Sequence, residues 1–161
     1  KHHLQNAWKQ SPADSVAEKL FKVLGALNES QAQQKHLDNW LELIPNSTAA
    51  TLYQAINYQQ TMQKTKAMSA YEKVLGVSPN NVLALNNLGW IYFEKNDDRA
   101  LPMLKKAAEL APESAAVLDS YGWVLAKSGN KQEGLKFLEK AYALAPEEPE
   151  IKAHLDEIKG K

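Results

Sequence analysis

Four histidines, at positions 2, 3, 36 and 154, and two adjacent carboxylate pairs, Asp97-Asp98 and Glu147-Glu148, are the residues whose types could support metal binding or acid–base chemistry. Neither set has the spacing that such chemistry needs. A structural metal site takes its ligands in pairs at short, regular intervals, and no second histidine cluster or helical ligand motif accompanies His2-His3. A frayed chain end accounts for that pair. The carboxylate pairs fall where the chain turns, and solvation and helix capping explain them there. There is no cysteine, which excludes a disulfide framework, a zinc knuckle and a cysteine–histidine nucleophile. A glycine-rich phosphate loop and a nucleophile elbow are absent as well. The residues therefore point away from an enzyme, with no catalytic residue, cofactor or metal expected.

Charge excludes further classes. Nineteen basic and nineteen acidic side chains cancel over 161 residues, so no long-range field steers the chain onto nucleic acid or an anionic surface. No apolar run approaches the roughly 18 residues that a membrane span requires. The chain begins Lys1-His2-His3-Leu4 without a methionine, which reads as a fragment or a mature form.

The elements that position these residues are set by proline. Prolines at 12, 45, 79, 112 and 146 stand 33, 34, 33 and 34 residues apart, the period of a helix–turn–helix repeat. Apolar or small residues precede each by two, five and eight positions: Leu110, Ala107 and Leu104 before Pro112, and Leu144, Ala141 and Leu138 before Pro146. The same register gives Val77, Val74 and Tyr71, and Leu43, Trp40 and Leu37. Threefold spacing suits one helix face, and proline then ends the helix. Capping residues follow at Asp14, Asn46-Ser47, Asn80-Asn81 and Ser114. Mid-unit breaks stand at Asn28-Glu29-Ser30, Glu94 to Asp98 and Ser128-Gly129-Asn130, while Thr61 to Thr65 is the least marked. The pattern predicts ten helices, near 1–10, 14–27, 30–43, 47–60, 63–77, 81–95, 97–111, 115–128, 131–145 and 149–159.

These residues resemble the tetratricopeptide repeat family. Leu85, Leu88, Gly89, Tyr92, Ala100, Leu104, Ala107 and Pro112 fit its pattern, as do Leu118, Tyr121, Gly122, Leu125, Gly134, Leu138, Ala141 and Pro146. Ala55, Tyr58, Ala67, Tyr71 and Pro79 keep it in the second repeat. The first departs most: Phe21 and Gln33 stand at small positions and Trp40 replaces the packing alanine. The resemblance implies an all-α, right-handed solenoid of antiparallel helix pairs in one array. Residues 1–12 would be the second helix of a preceding repeat, with Leu4 and Trp8 facing a missing unit. Repeats would follow at 13–45, 46–79, 80–112 and 113–146. Residues 147–161 would form a capping helix, with Ile151, Leu155 and Ile158 inward and residue 161 near the natural end.

In that family the first helix of each pair lines a concave groove. Carried onto this chain, the groove positions select Tyr53, Ile56 and Gln59 in the second repeat. They select Asn86, Asn87, Trp90 and Phe93 in the third, and Asp119 and Trp123 in the fourth. Rigid aromatics beside amides suit a peptide or a carbohydrate, and inter-repeat packing explains the tryptophans equally well. A basic clamp for a carboxylate is not expected, because the fifth and ninth positions hold Glu18 and Lys22, Leu52 and Ile56, Asn86 and Trp90, and Asp119 and Trp123.

Residues 79–155 are also similar to the C-terminal part of bacterial tetratricopeptide lipoproteins encoded beside exopolysaccharide and PEP-CTERM/exosortase genes. The similarity rests on residues 81–90, 96–101 and 117–123. It implies a periplasmic or outer-membrane-anchored protein of polysaccharide export or protein sorting; without it the expectation is cytoplasmic. The leading expectation is an interaction scaffold for a protein or peptide segment. A polysaccharide-contacting module and a passive spacer are the alternatives.

Overall fold

The computed structural model describes residues 1–160, and every described element is an α-helix. In chain order these are α1 (His2–Gln10), α2 (Asp14–Ala26), α3 (Ser30–Leu43), α4 (Thr48–Gln60), α5 (Lys64–Val77), α6 (Val82–Glu94), α7 (Ala100–Leu110), α8 (Ala115–Lys127), α9 (Lys131–Leu144) and α10 (Pro149–Lys159). The fold is an all-α solenoid of helix pairs. The chain divides into two compact units, Lys1–Ser78 and a second from Pro79 onward. The expectation for residue 161 lies outside the described residues.

Two helix starts and most helix stops have a local cause. Ser47 Oγ accepts from the Ala50 amide at 3.0 Å and Asn81 Oδ1 from the Ala84 amide at 2.9 Å, which satisfies donors that a first turn leaves free. Asp14 and Ser114 make no such cap bond, although both stand at helix starts. Before each of the five prolines the backbone is extended: Ser11, Ile44, Ser78, Ala111 and Ala145 have φ between −149° and −127°. The turns inside the helix pairs close by a different device. Asn28, Met62, Asn96 and Gly129 each take a positive φ, of 56°, 60°, 54° and 101°. The amide after each one reaches back to the carbonyl five residues earlier, from Glu29 to Leu24, Gln63 to Tyr58, Asp97 to Tyr92 and Asn130 to Leu125.

The helix ends lie within one residue of the expected ones except at the start of α7, which falls at Ala100 instead of residue 97. There Asp97 Oδ1 accepts from the Arg99 amide at 3.0 Å, and the Ala100 amide bonds to the Asp97 carbonyl. This side-chain turn competes with the helix and delays it.

Burial follows the threefold pattern with one correction. Positions five and eight before Pro45, Pro79, Pro112 and Pro146 are buried: Trp40, Leu37, Val74, Tyr71, Ala107, Leu104, Ala141 and Leu138, whereas Ala7 and Leu4 before Pro12 are only half-buried. The residues two before proline are not buried: Leu43, Val77, Leu110 and Leu144 are exposed, Val77 by 72%. These four end their helices, so the last turn leaves their side chains in solvent. Trp8 also departs from expectation, being buried in the N-terminal core with Leu20, Leu24, Leu37 and Trp40.

The helix pairs differ in closeness. At the α8/α9 crossing a methyl group on Gly134 would lie 2.5 Å from the Gly122 carbonyl oxygen, so the backbones meet where only glycine fits. At α2/α3 the Gln33 side chain fills the corresponding gap beside Gly25 and donates to the Phe21 carbonyl at 3.1 Å. A glutamine therefore spaces the degenerate pair that glycines draw together elsewhere. Within each unit the first helices of successive pairs also touch, α2 with α4 and α6 with α8.

Candidate functional site

Residues four apart on a helix share a face, so Asn86 and Trp90 on α6, and Asp119 and Trp123 on α8, present two equivalent pairs. The structure sets three of them, Trp90, Asp119 and Trp123, around a residue that the sequence reading dismissed. His154, from α10, lies nearly parallel to both indoles, 4.1 Å from Trp123 and 6.2 Å from Trp90 between ring centroids. Its Nδ1–H donates to Asp119 Oδ2 at 2.8 Å. The signal for this was available: His154 stands three residues after Ile151 and four before Ile158, on the inward stripe of α10.

The electrostatics of this centre are one-sided. Asp119 is 6% exposed, and its Oδ1 is buried without a hydrogen-bond partner. Asn86 Oδ1, at the equivalent repeat position, is buried and unpartnered too. The Asp119 hydrogen bond raises the His154 pKa above its ordinary value against the opposing effect of burial, with Glu150 and Glu157 adding to the rise. Lys127 lies 4.5 Å from the centre of the Trp123 ring and pairs with Glu157 at 2.6 Å. Phe93 packs on Trp90 at 5.9 Å. Asn87 accepts a long bond of 3.5 Å from Asn86 Nδ2. The two tryptophans thus meet an imidazole instead of forming open platforms.

The other two tryptophans flank a histidine as well. In the N-terminal unit Trp8 meets His36 edge-on at 5.3 Å, and Trp40 lies nearly parallel to it at 6.1 Å. Here Nε2–H donates to the Ala17 carbonyl at 2.9 Å, and burial pushes the pKa down. Trp8 Nε1 donates to Asn39 Oδ1 at 2.9 Å and Trp40 Nε1 to Asp14 Oδ1 at 2.7 Å. Every polar contact named here is matched, as in a packed core.

Tyr53 and Ile56 line a separate open cleft of about 410 Å³ in the N-terminal unit. Its other walls are Phe21, Ser30, Gln33, Gln34, Asn57 and Gln60. Phe21 and Tyr53 pack at 4.5 Å with a tilt of 34°. Tyr53 donates to Glu18 at 3.1 Å, and Glu18 pairs with Lys22 at 2.7 Å, contacts that hold the Glu18 carboxyl below its ordinary pKa. Asn57 donates to Gln34, which donates in turn to Asp38 at 2.8 Å. No charged side chain lines the cleft. Gln59 is not among the lining residues; its Oε1 accepts from the Tyr71 hydroxyl at 2.8 Å.

The residues first considered for chemistry stand apart from these centres. Asp97 holds Arg99 through Nε at 2.9 Å and Nη2 at 2.7 Å, which lowers its pKa to about 2. Glu147 and Glu148 are exposed. Among the described residues no three of the metal-ligating types group together, and no helix is long and apolar enough to cross a membrane.

Comparison with known proteins agrees with this architecture. A family model described as "Tetratricopeptide repeat" matches residues 3–155. A TPR repeat-containing protein of Pseudomonas aeruginosa is 33% identical over 86 residues, which cover 52% of this chain and 14% of that protein. An O-GlcNAc transferase structure from Thermobaculum terrenum aligns at a TM-score of 0.66 with 28% identity, over 69% of this chain and 22% of the other. The structure of YrrB, described as a TPR protein with an unusual peptide-binding site, aligns at 0.73 with 19% identity over 98% and 82% of the two chains. The chain therefore spans less than a quarter of the Pseudomonas protein and of the transferase.

Proposed function

The chain belongs to the tetratricopeptide repeat family, and from that premise we propose that it is a non-enzymatic scaffold whose groove faces hold an extended segment of a partner protein. The open cleft of the N-terminal unit carries this reading. Its Phe21, Tyr53 and Ile56 side chains offer apolar area at small entropic cost. Gln33, Gln34, Asn57 and Gln60 bring amides that can pair with the free backbone groups of an extended chain. The lining is uncharged, which suits a neutral stretch of peptide. It does not suit a C-terminal carboxylate, because Lys22 is already paired with Glu18.

The groove positions of the C-terminal unit, Asn86, Asn87, Trp90, Phe93, Asp119 and Trp123, belong to the same proposal as a second face. The resemblance of residues 79–155 extends it to a bacterial envelope assembly for polysaccharide export or protein sorting. A sugar platform has less support, since both indole rings already stack on His154.

Affinity capture from extracts of the source organism tests this, with retained proteins identified by mass spectrometry. The comparison is between the wild-type chain and Tyr53→Ala/Asn57→Ala, shown to remain folded by its helical signal. A partner set held by the wild type and lost in the variant is expected. The same set on both would move binding away from the cleft, and no retained protein would sink the scaffold reading.

A further inference from the structure

The groove face of the C-terminal unit is filled by the chain's own side chain, and that occupant describes what the face accepts. His154 brings a flat, proton-bearing ring against two indoles and gives one N–H to Asp119. The two side-chain atoms left over there are acceptors: Asp119 Oδ1 and Asn86 Oδ1 are both buried and lack a donor. Buried acceptors ordinarily find a partner, and a carboxylate 6% exposed has strong reason to. These two sit at the same position of successive repeats, each one turn before a tryptophan.

We propose that this face binds the guanidinium of an arginine on a partner segment, and that His154 is a resident stand-in which the arginine displaces. A guanidinium is planar, so it stacks on indole faces as the imidazole does. It carries five N–H groups where the imidazole gives Asp119 one, enough to engage both carboxylate oxygens with donors to spare for a second acceptor. An ammonium lacks the flat face. A sugar hydroxyl leaves the Asp119 charge unmatched once His154 departs, and an acidic side chain is repelled by it. Displacement does not require α10 to unfold. Ile151, Leu155 and Ile158 hold the helix, while the His154 side chain, 15% exposed, can rotate outward alone.

This inference rests on the scaffold reading, but its test is separate from the capture experiment. N-acetylarginine amide is titrated into the full chain while the indole N–H resonances of Trp90 and Trp123 are followed by NMR. The lysine and glutamate amides serve as comparison probes. Removing the stand-in with His154→Ala is expected to tighten arginine binding by about tenfold or more, because the site is then no longer self-occupied. Adding Asp119→Asn is expected to abolish the gain. Amide protection reports whether His154→Ala loosens α10; if it does, the difference between His154→Ala and His154→Ala/Asp119→Asn, which share that loosening, still isolates the carboxylate's hold on arginine. Unchanged arginine affinity without His154 overturns the proposal, and so does lysine or glutamate amide binding as well as arginine amide. These outcomes leave the capture result intact, whereas an empty capture leaves the titration to stand on its own.

Discussion

Each unit of this protein places a histidine against two tryptophans, and the two centres behave in opposite ways. In the N-terminal unit His36 donates to a backbone carbonyl among fully enclosed rings. In the C-terminal unit His154 donates to the Asp119 carboxylate against half-buried rings. One acceptor is neutral and already belongs to a helix; the other is charged and retains an unused oxygen. The difference shows that aromatic packing does not decide whether such a cluster is core or site. The atom opposite the imidazole decides it, because a neutral partner lets burial keep the ring uncharged while a carboxylate draws a proton onto it.

The largest effect that separates the centres is truncation of their tryptophans. Trp40 is 0% exposed at the centre of the N-terminal core, so Trp40→Ala leaves a cavity there. A cost of about 3–5 kcal/mol is expected. Trp123 is only partly buried, and its loss should cost less than half as much, roughly 1–2 kcal/mol. Urea unfolding of the two variants measures both, and equal costs would mean that the C-terminal cluster is as much a core as the N-terminal one.

How far this contrast could be read in advance follows from the same residues. The helix pairs were legible because proline, glycine and alanine act locally: each proline fixes its own neighbour's backbone, and Gly122 and Gly134 mark a close crossing. Selection of the groove tryptophans followed from position within the repeat. The inward stripe of α10 gave the face on which His154 stands but not the rings it meets, because α10 follows the last full repeat and only tertiary packing sets it against α6 and α8. The burial of Trp8 was hidden for a similar reason: its partners His36 and Asn39 lie 28 and 31 residues away. The exposure of Leu110 and Leu144 shows the limit of periodicity, which assigns a face without saying how far along the helix the neighbour extends.

Acidity should pull the two units apart. The folded pKa of His154 lies above its ordinary 6.5, so its stabilisation is complete below that value and is lost as pH rises through the folded pKa. The folded pKa of His36 lies below 6.5, so the unfolded chain binds a proton that the folded unit refuses as pH falls beneath that value. Lowering the pH from about 8 to about 5.5, above the ordinary carboxylate range, should therefore strengthen α10 and weaken α3. Asp119 faces His154 from α8, Glu150 and Glu157 from its own helix, and Lys127 stands nearby paired to Glu157. Amide hydrogen exchange resolved by helix reads this directly. Parallel changes in both units would show that the imidazoles do not carry the difference, and His36→Gln and His154→Gln should each remove one half of it.

The smallest effect concerns the turns, where the units differ by one residue type. The left-handed positions are held by Asn28 and Met62 in the N-terminal unit and by Asn96 and Gly129 in the C-terminal one. Asparagine and glycine adopt that backbone readily, whereas methionine has no local hydrogen bond to offset the strain. Met62 gains little from packing in return, being 74% exposed. Met62→Gly should accordingly stabilise the protein by about 0.5–1 kcal/mol, the relieved strain outweighing the extra freedom of glycine in the unfolded chain. Gly129→Met should cost a similar amount, since the turn amides and carbonyls are bonded in the same way in both places. Thermal unfolding of the two variants gives the answer. If Met62→Gly destabilises, the methionine side chain contributes contacts that its exposure does not reveal, and the N-terminal turn is better fitted to its residue than the C-terminal one.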